Sequence, residues 1–318
     1  MDLSNIKIEK ELQIVFMGTP EFAVPVLEGL IENYNVRAVV TQPDRPGNHG
    51  KISFSPIKQV AINNAILVLQ PERIKEDYQE IINLKPDLII TCAYGQIIPK
   101  ELIDLPRLGC INVHASLLPK LRGGAPIHKA IINGYKKTGI TIMYMNTKMD
   151  EGDIISQEEV EITDTDTASS LHDKLKIVGR DLLLKTLPSV IEGTNDRIKQ
   201  DSSLASYAFT IKREEEKINF NDSKKQIYNQ IRGLNSYPGA YCIFEGKILK
   251  VWESYMTENY PSGFNGQITA IYKDGFGVKV SNGEVVFTCV QPDGKRKMST
   301  NDFLNGLKNK DIVGKILE

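Results

Sequence analysis

Several things are missing from this sequence of 318 residues, and each absence narrows the reading. No apolar run approaches the ~20 positions that a membrane-crossing helix needs, so no membrane span is expected. The opening residues, MDLSNIKIEKELQ, hold no apolar stretch leading to small residues. No secretory signal is read there, and a cytoplasmic setting is expected. The four cysteines, Cys92, Cys110, Cys242 and Cys289, are far apart and form no C-x-x-C pair, which removes zinc-ribbon and thioredoxin-type readings. Cys92 and Cys110 fall in apolar runs and read as reduced core thiols. No metal site is expected. A net charge of −1 gives the chain as a whole no nucleic-acid footprint. Internal repeats and low-complexity tracts are absent too. The turn Gly18-Thr19-Pro20 lacks the G-x-G-x-x-G spacing, which counts against a dinucleotide-binding enzyme.

What is present is ordinary globular material. Hydrophobic residues make up 41% and charged residues 25%, enough for a core, and the length suits two domains. The charge is unevenly placed. From Ser206 onward there are 16 Lys/Arg against 13 Asp/Glu, a net of +3; before it there are 23 against 27, a net of −4. Contact with a polyanion would therefore have to come from local basic patches.

The first two-thirds alternate strand-like and helix-like runs. Leu12 to Met17 reads as a buried strand, and Thr19 followed by Pro20 reads as a helix cap and first position. Ser55-Pro56 repeats that start. Further strands are expected near 36–41, 66–69, 87–93, 110–114 and 140–145, and a long helix near 167–192 with a kink or end at Pro188. Such alternation predicts an α/β fold with a mostly parallel sheet and a crevice at the strand C-termini. The stretch 194–213 is polar and irregular and reads as a linker. Beyond it come one helix near 223–234 and strands separated by Pro-Gly, Glu-Gly, Asp-Gly and Asn-Gly turns, which predict a small antiparallel β-barrel domain. The expected division is 1–205 and 206–318.

The segment CINVHASLLPKLRGGAPI, from Cys110 to Ile127, carries the chemistry. On a strand, Asn112 and His114 share one face about 6–7 Å apart. Asn can donate to a developing oxyanion, and His can take or give a proton near neutral pH. An isolated Asn-x-His pair is more often a structural histidine with an asparagine turning the chain. Here the pair ends a buried strand and enters a Pro/Gly-rich loop, where open α/β sheets place their sites.

Taken together, Asn112-x-His114, Ser116-Leu117-Leu118-Pro119 and Arg122-Gly123-Gly124-Ala125-Pro126 resemble the signature of the folate-dependent formyltransferases. A Thr138-Gly139-Ile140-Thr141 run followed by Asp150-Glu151-Gly152-Asp153 matches that family's downstream motif. The resemblance covers nearly the whole chain. It implies a Rossmann-like catalytic domain, an OB-like C-terminal barrel, and 10-formyltetrahydrofolate as co-substrate without a metal. It implies Asn112, His114 and Asp150 as catalytic residues. It also implies folate contacts from Ser116, Leu117, Leu118 and Pro119, with a bent Leu118–Pro119 bond in the cis form. Tyr94, Gly95 and Ile97 resemble the pterin-side segment, although a plain strand-to-helix turn would look the same.

Three stretches resemble the branch of the family whose acceptor is methionyl initiator tRNA. They are Phe16 to Phe22, the loop Thr41 to Lys51, and Ser236 to Ala240 with Lys250-Val251-Trp252. The resemblance implies tRNA contacts from Arg45, His49 and Lys51. Lys295, Arg296 and Lys297 are a further basic cluster that reads either as tRNA contact or as a solvated turn. The sequence departs from the family at His49, where the branch usually carries arginine. The loop 42–53 is expected to form neither helix nor strand, and the chain to act as a monomer. Two alternatives stay open: the same chemistry on an amino-sugar nucleotide, and an RNA-binding protein without activity.

Overall fold

Apolar runs that are buried on both faces form the centre of the first sheet. The computed structural model describes residues 12–46, 52–308 and 311–318. It separates into two units. The first holds the residues up to Pro126, Lys137–Glu161 and His172–Phe209; the second holds Ile127–Lys136, Ile162–Leu171 and Thr210–Glu318.

In the first unit the strands are β1 (Ile14–Gly18), β2 (Val36–Val40), β3 (Arg45–Pro46), β4 (Ile52–Ser53), β5 (Leu67–Leu69), β6 (Leu88–Cys92), β7 (Cys110–His114), β8 (Lys137–Tyr144) and β9 (Ile154–Glu161). Seven of them form one sheet in the order β5-β2-β1-β6-β7-β8-β9. The pairs from β5 to β7 are parallel, and β8 and β9 add on antiparallel. β1 and β6 are buried at every position, as strands covered on both faces must be. The parallel pairing sets the C-terminal ends of β1, β2, β6 and β7 along one edge, and that edge carries the candidate site.

The helices start largely where the residue types place them. Ser55 accepts from Lys58 N at 3.1 Å and Pro56 occupies the first turn of the helix Pro56–Asn63. Thr19 does not cap a helix, contrary to expectation. A 3₁₀ turn, Glu21–Ala23, precedes the helix Val24–Asn33, and the Thr19 hydroxyl donates instead to Tyr94 O at 3.0 Å. The long helix Ala168–Glu192 passes through Pro188 and ends four residues later.

Three further expectations are corrected. β9 was not foreseen, because Glu158, Glu159 and Glu161 mask its pattern; such charges suit a strand at the sheet edge. The loop 42–53 is not devoid of strand, since Arg45 pairs with Ser53 and Pro46 with Ile52. The stretch 194–209 is no loose linker: its backbone bonds to β9 and to the loop after β7.

The second unit contains β10 (Ala240–Phe244), β11 (Lys247–Met256), β12 (Ile268–Ile271), β13 (Phe276–Val280), β14 (Gly283–Pro292) and β15 (Met298–Ser299), all antiparallel. The strand path β10-β11-β14-β13-β12 is open, with β15 on β14, so strand pairing does not close the expected barrel. Glu245 and Gly246, with φ of 51° and 75°, make the tight β10–β11 turn that the sequence signalled. Phe276, Phe287 and Phe303 meet in the core, and the helix Lys224–Gly233 adds Ile227 and Ile231. All four cysteines are free and buried. No described helix is long and apolar enough to cross a membrane.

Glu284 is the most deeply buried of the charged residues described in this unit. It accepts from the Thr257 hydroxyl at 2.9 Å, the Tyr272 hydroxyl at 2.6 Å, the Asn259 amide at 3.3 Å, and the Thr269 hydroxyl. Burial alone pushes its pKa up, but these donors outweigh it and hold the carboxyl below the ordinary glutamate value. The folded pKa therefore lies below the unfolded one. The stabilisation is present above the unfolded value and is lost as pH falls through the folded value. Glu284→Gln should lower the urea midpoint at neutral pH, by an amount equivalent to about 1–3 kcal/mol. The gap between wild type and variant should close as pH falls below the ordinary glutamate range.

Candidate active site

Strand β7 sets Asn112 and His114 on one face, with Ile111 and Val113 buried on the other. The Thr91 hydroxyl on neighbouring β6 donates to Asn112 Oδ1 at 2.7 Å. That bond fixes the amide, so Nδ2 is the edge Asn112 turns away from Thr91. His114 is buried, and its Nε2 lies 3.1 Å from the carbonyl of Leu121. A carbonyl only accepts, so Nε2 carries the hydrogen, and in the neutral ring Nδ1 keeps its lone pair. Nδ1 lies 3.8 Å from Asp150 Oδ2. The two acidic and basic groups thus converge although 36 residues separate them in the chain.

Asp150 is held by the loop that follows β7. Its Oδ2 accepts from Gly123 N at 2.8 Å. Leu121 and Asp150 both take positive φ, 60° and 51°, and Gly123 sits at 117°. Gly123 has no room for a side chain, since a Cβ would stand 2.8 Å from Ala208 O. Residues 206–208 brace this loop through Arg122 N to Ser206 O at 2.9 Å and Ala208 N to Arg122 O at 2.7 Å. Arg122 is almost wholly buried. Beside it, the Lys148 ammonium, with Arg122 and Ser202 adding, holds the Glu151 carboxyl below its ordinary value.

The Ser116–Pro119 turn contains a cis Leu118–Pro119 bond, as the resemblance implied. Thr141 organises it. Its hydroxyl donates to Ser116 O at 2.6 Å and accepts from Leu118 N at 3.1 Å and Gln157 Nε2 at 2.8 Å. Gln157 also donates to Leu118 O at 2.9 Å. Ser116 is fully buried and its hydroxyl donates to Lys120 O at 2.6 Å, while Leu118 is buried and Leu117 half-buried.

After β6 the chain turns through Ala93 and Gly95, with φ of 49° and 91°. The Tyr94 side chain enters the core beside Ile89, Ile98 and Leu102, and burial pushes its hydroxyl up to about 12. Its carbonyl accepts from Thr19 Oγ1 at 3.0 Å and Gln42 Nε2 at 3.1 Å, tying the ends of β1, β2 and β6 together. Ile97 is exposed.

Of the basic residues, Arg45 is exposed at the root of its loop, next to Asp44. Hydrogen bonds from Lys58 and Gln70 hold the Asp44 carboxyl below its ordinary value. His49 and Lys51 lie outside the described residues. Lys295, Arg296 and Lys297 are exposed, and Lys297 Nζ lies 3.2 Å from Glu253 and 5.7 Å from the Trp252 ring centre. His128 is bonded to Gly233 O at 2.8 Å, and His172 packs edge-on to Phe22. Among the described residues, no group of three His, Cys, Asp or Glu side chains is placed to hold a metal. The sequence reading missed Thr91, Thr141, Gln157 and Gln200. Their partners are distant in the chain, and only the Thr-Gly-x-Thr motif pointed toward one of them.

A mostly parallel sheet with Asn, His and Asp gathered beyond one strand end has the form of a group-transfer site, and the family defines the class. Residues 12–187 match the family model for formyl transferase, and residues 210–308 match that for the formyl transferase C-terminal domain. The chain belongs to the formyl transferase family. It is 50% identical over 300 residues to the methionyl-tRNA formyltransferase of Geobacillus sp. (strain WCH70), covering 93% of this chain and 94% of that one. It is 49% identical over 309 residues to the methionyl-tRNA formyltransferase of Bacillus subtilis (strain 168), covering 95% and 98%. Among solved structures, an N-formyltransferase from Helicobacter canadensis, in complex with folinic acid and dTDP-3-aminofucose, shares the fold. Its TM-score is 0.67 at 22% identity, with 87% of this chain and 99% of that chain covered. HypX from Aquifex aeolicus, in complex with tetrahydrofolic acid, aligns with a TM-score of 0.62 at 17% identity, over 93% of this chain and 47% of that one.

Thr141→Val keeps the shape of the side chain and removes its hydroxyl. Leu118 N would lose its acceptor and Ser116 O its donor, both in buried surroundings. The expected cost is about 1–3 kcal/mol in urea unfolding. A variant as stable as the wild type would show that the turn does not depend on this hydroxyl.

Proposed function

We propose that this chain moves the formyl group of 10-formyltetrahydrofolate to the amino group of methionyl initiator tRNA. The observation that carries the reading is the placing of His114 Nδ1. It is the free basic atom of a ring fixed by Leu121, 3.8 Å from the Asp150 carboxylate, on the same strand face as the Asn112 amide. The family and the identity to named relatives support the choice of donor and acceptor.

The folate co-substrate supplies an activated formyl carbon, and the residues do the rest. The attacking amine must be neutral, and His114 Nδ1 takes its proton. Asp150 stabilises the imidazolium that results. Asn112 Nδ2 donates to the formyl oxygen as negative charge develops there. Nε2 is engaged with Leu121, so only Nδ1–H can return the proton to the departing nitrogen. The turn Ser116–Pro119 would serve as a wall for the folate: the Leu118 N–H is already engaged with Thr141 and the Ser116 hydroxyl with Lys120. Tyr94 would contribute through its turn with Gly95 and Ile97 rather than through its buried ring.

The same reading takes residues 1–205 as the catalytic domain and 206–318 as the tRNA-binding domain, in a cytoplasmic monomer. We read the second unit as an OB-like barrel. In support, Glu318 exchanges backbone bonds with Ile243 on β10, while Lys315 O and Gly314 N bond to Ile268 on β12. The C-terminal segment thus bonds to both end strands of the open path. Arg45, His49 and Lys51 in one unit, and Lys295, Arg296 and Lys297 in the other, would contact phosphates.

The test is formylation by 10-formyltetrahydrofolate of charged initiator tRNA, with charged elongator tRNA and an amino-sugar nucleotide as rival acceptors. The initiator should be preferred; transfer to the sugar alone would contradict the reading. His114→Ala should lower turnover by roughly 10²–10⁴-fold. Arg45→Ala should raise KM for charged tRNA and leave KM for the folate within about twofold. Equal rises in both would place Arg45 in the folate site instead.

A further inference from the structure

Gln200 is tied to the Asp150 loop from a segment far along the chain. Its Oε1 accepts from Arg122 Nε at 3.1 Å and Nη2 at 2.8 Å. A guanidinium only donates, so the side-chain amide has one orientation and Nε2 points the other way. There it donates to the carbonyls of Asp150 and Gly152, each at 2.8 Å. Asp150 adopts a positive φ of 51°, which a non-glycine residue takes only when its surroundings hold it. Gly152 is confined as well: a Cβ there would stand 1.7 Å from Tyr144 O. The Asp150 carboxylate is thus aimed from two sides, its side chain by Gly123 N and its main chain by Gln200.

We propose that Gln200 is a positioning residue for the formyl transfer, holding the Asp150 carboxylate against His114. It does so with the two hydrogens of its amide. The proposal rests on the functional reading above for its kinetic consequences. The competing role is structural: Gln200 as the acceptor for a buried arginine and nothing more. The two roles differ in what a carboxylate would do at this position. Gln200→Glu keeps, and strengthens, the acceptor for Arg122. It also turns an oxygen toward the two carbonyls that need donors. A structural role tolerates that change, whereas a positioning role does not.

The experiment compares wild type, Gln200→Glu and Gln200→Ala, each also in an Asp150→Ala background. Both single variants should lose about 10–100-fold in kcat, the range that a displacement of about 1 Å in a catalytic group produces. KM for 10-formyltetrahydrofolate should stay within about twofold. In the Asp150→Ala background neither change should slow the reaction further, because Gln200 acts through Asp150. Wild-type kcat in Gln200→Glu, or an undiminished further loss in the Asp150→Ala background, would overturn the proposal. Crystal structures of wild type and Gln200→Glu give a readout independent of activity. The distance from Asp150 Oδ2 to His114 Nδ1 should lengthen, and an unmoved carboxylate refutes the clamp. A wild-type protein that formylates no methionyl-tRNA would strike at the functional reading alone, leaving the clamp to be judged by the structures.

Discussion

His114 Nε2 bonds to the carbonyl of Leu121 at 3.1 Å, and that carbonyl can do nothing but accept. The tautomer follows from this, and with it the identity of the ring nitrogen that keeps its lone pair. Had the loop after β7 run a residue longer or shorter, another group would face the ring. The chain accepts a positive φ at Leu121 to bring this carbonyl into place. Two residues further on, Gly123 acts from the other side as the donor to Asp150. Leu121 and Gly123 therefore govern both nitrogens of the imidazole. One nitrogen is fixed directly, and the other through the carboxylate that Gly123 holds.

That loop in turn depends on the sheet. β7 presents Asn112 and His114 at the edge where β1, β2 and β6 also end. Thr91 on β6 orients the Asn112 amide, and Thr141 on β8 orders the turn after His114. Each of these contacts joins adjacent strands. Strand register thereby sets the geometry of the candidate site: a slip of one residue would turn Asn112 and His114 to the opposite face.

The sequence showed much of this and hid the rest for identifiable reasons. β1 and β6 are continuous apolar runs, so they read as central strands. Asn112, His114 and the Gly-rich loop lie within a short stretch, so their association was legible without coordinates. Asp150 became legible only through its motif, since nothing local links it to His114. β9 was lost because its outward residues are glutamates on an edge strand. Thr19 looked like a helix cap but serves as a tie between strand ends. Gln200 was invisible because it stands in a polar stretch with no periodicity, and its partners are 48 to 78 residues away. Barrel closure was not legible from the turn signals, for these fix hairpins and say nothing of whether the first and last strands meet.

The central claim is that His114 keeps its hydrogen on Nε2 and offers Nδ1 to the substrate amine. Nitrogen NMR of the protein with ¹⁵N-labelled histidine reads this directly, with His114→Gln used to assign the signals. At a pH where the ring is neutral, Nε2 should show the shift of a protonated nitrogen and Nδ1 that of an unprotonated one. A neutral ring with its hydrogen on Nδ1 would mean that the Leu121 carbonyl does not set the tautomer, and the account of the site would fail.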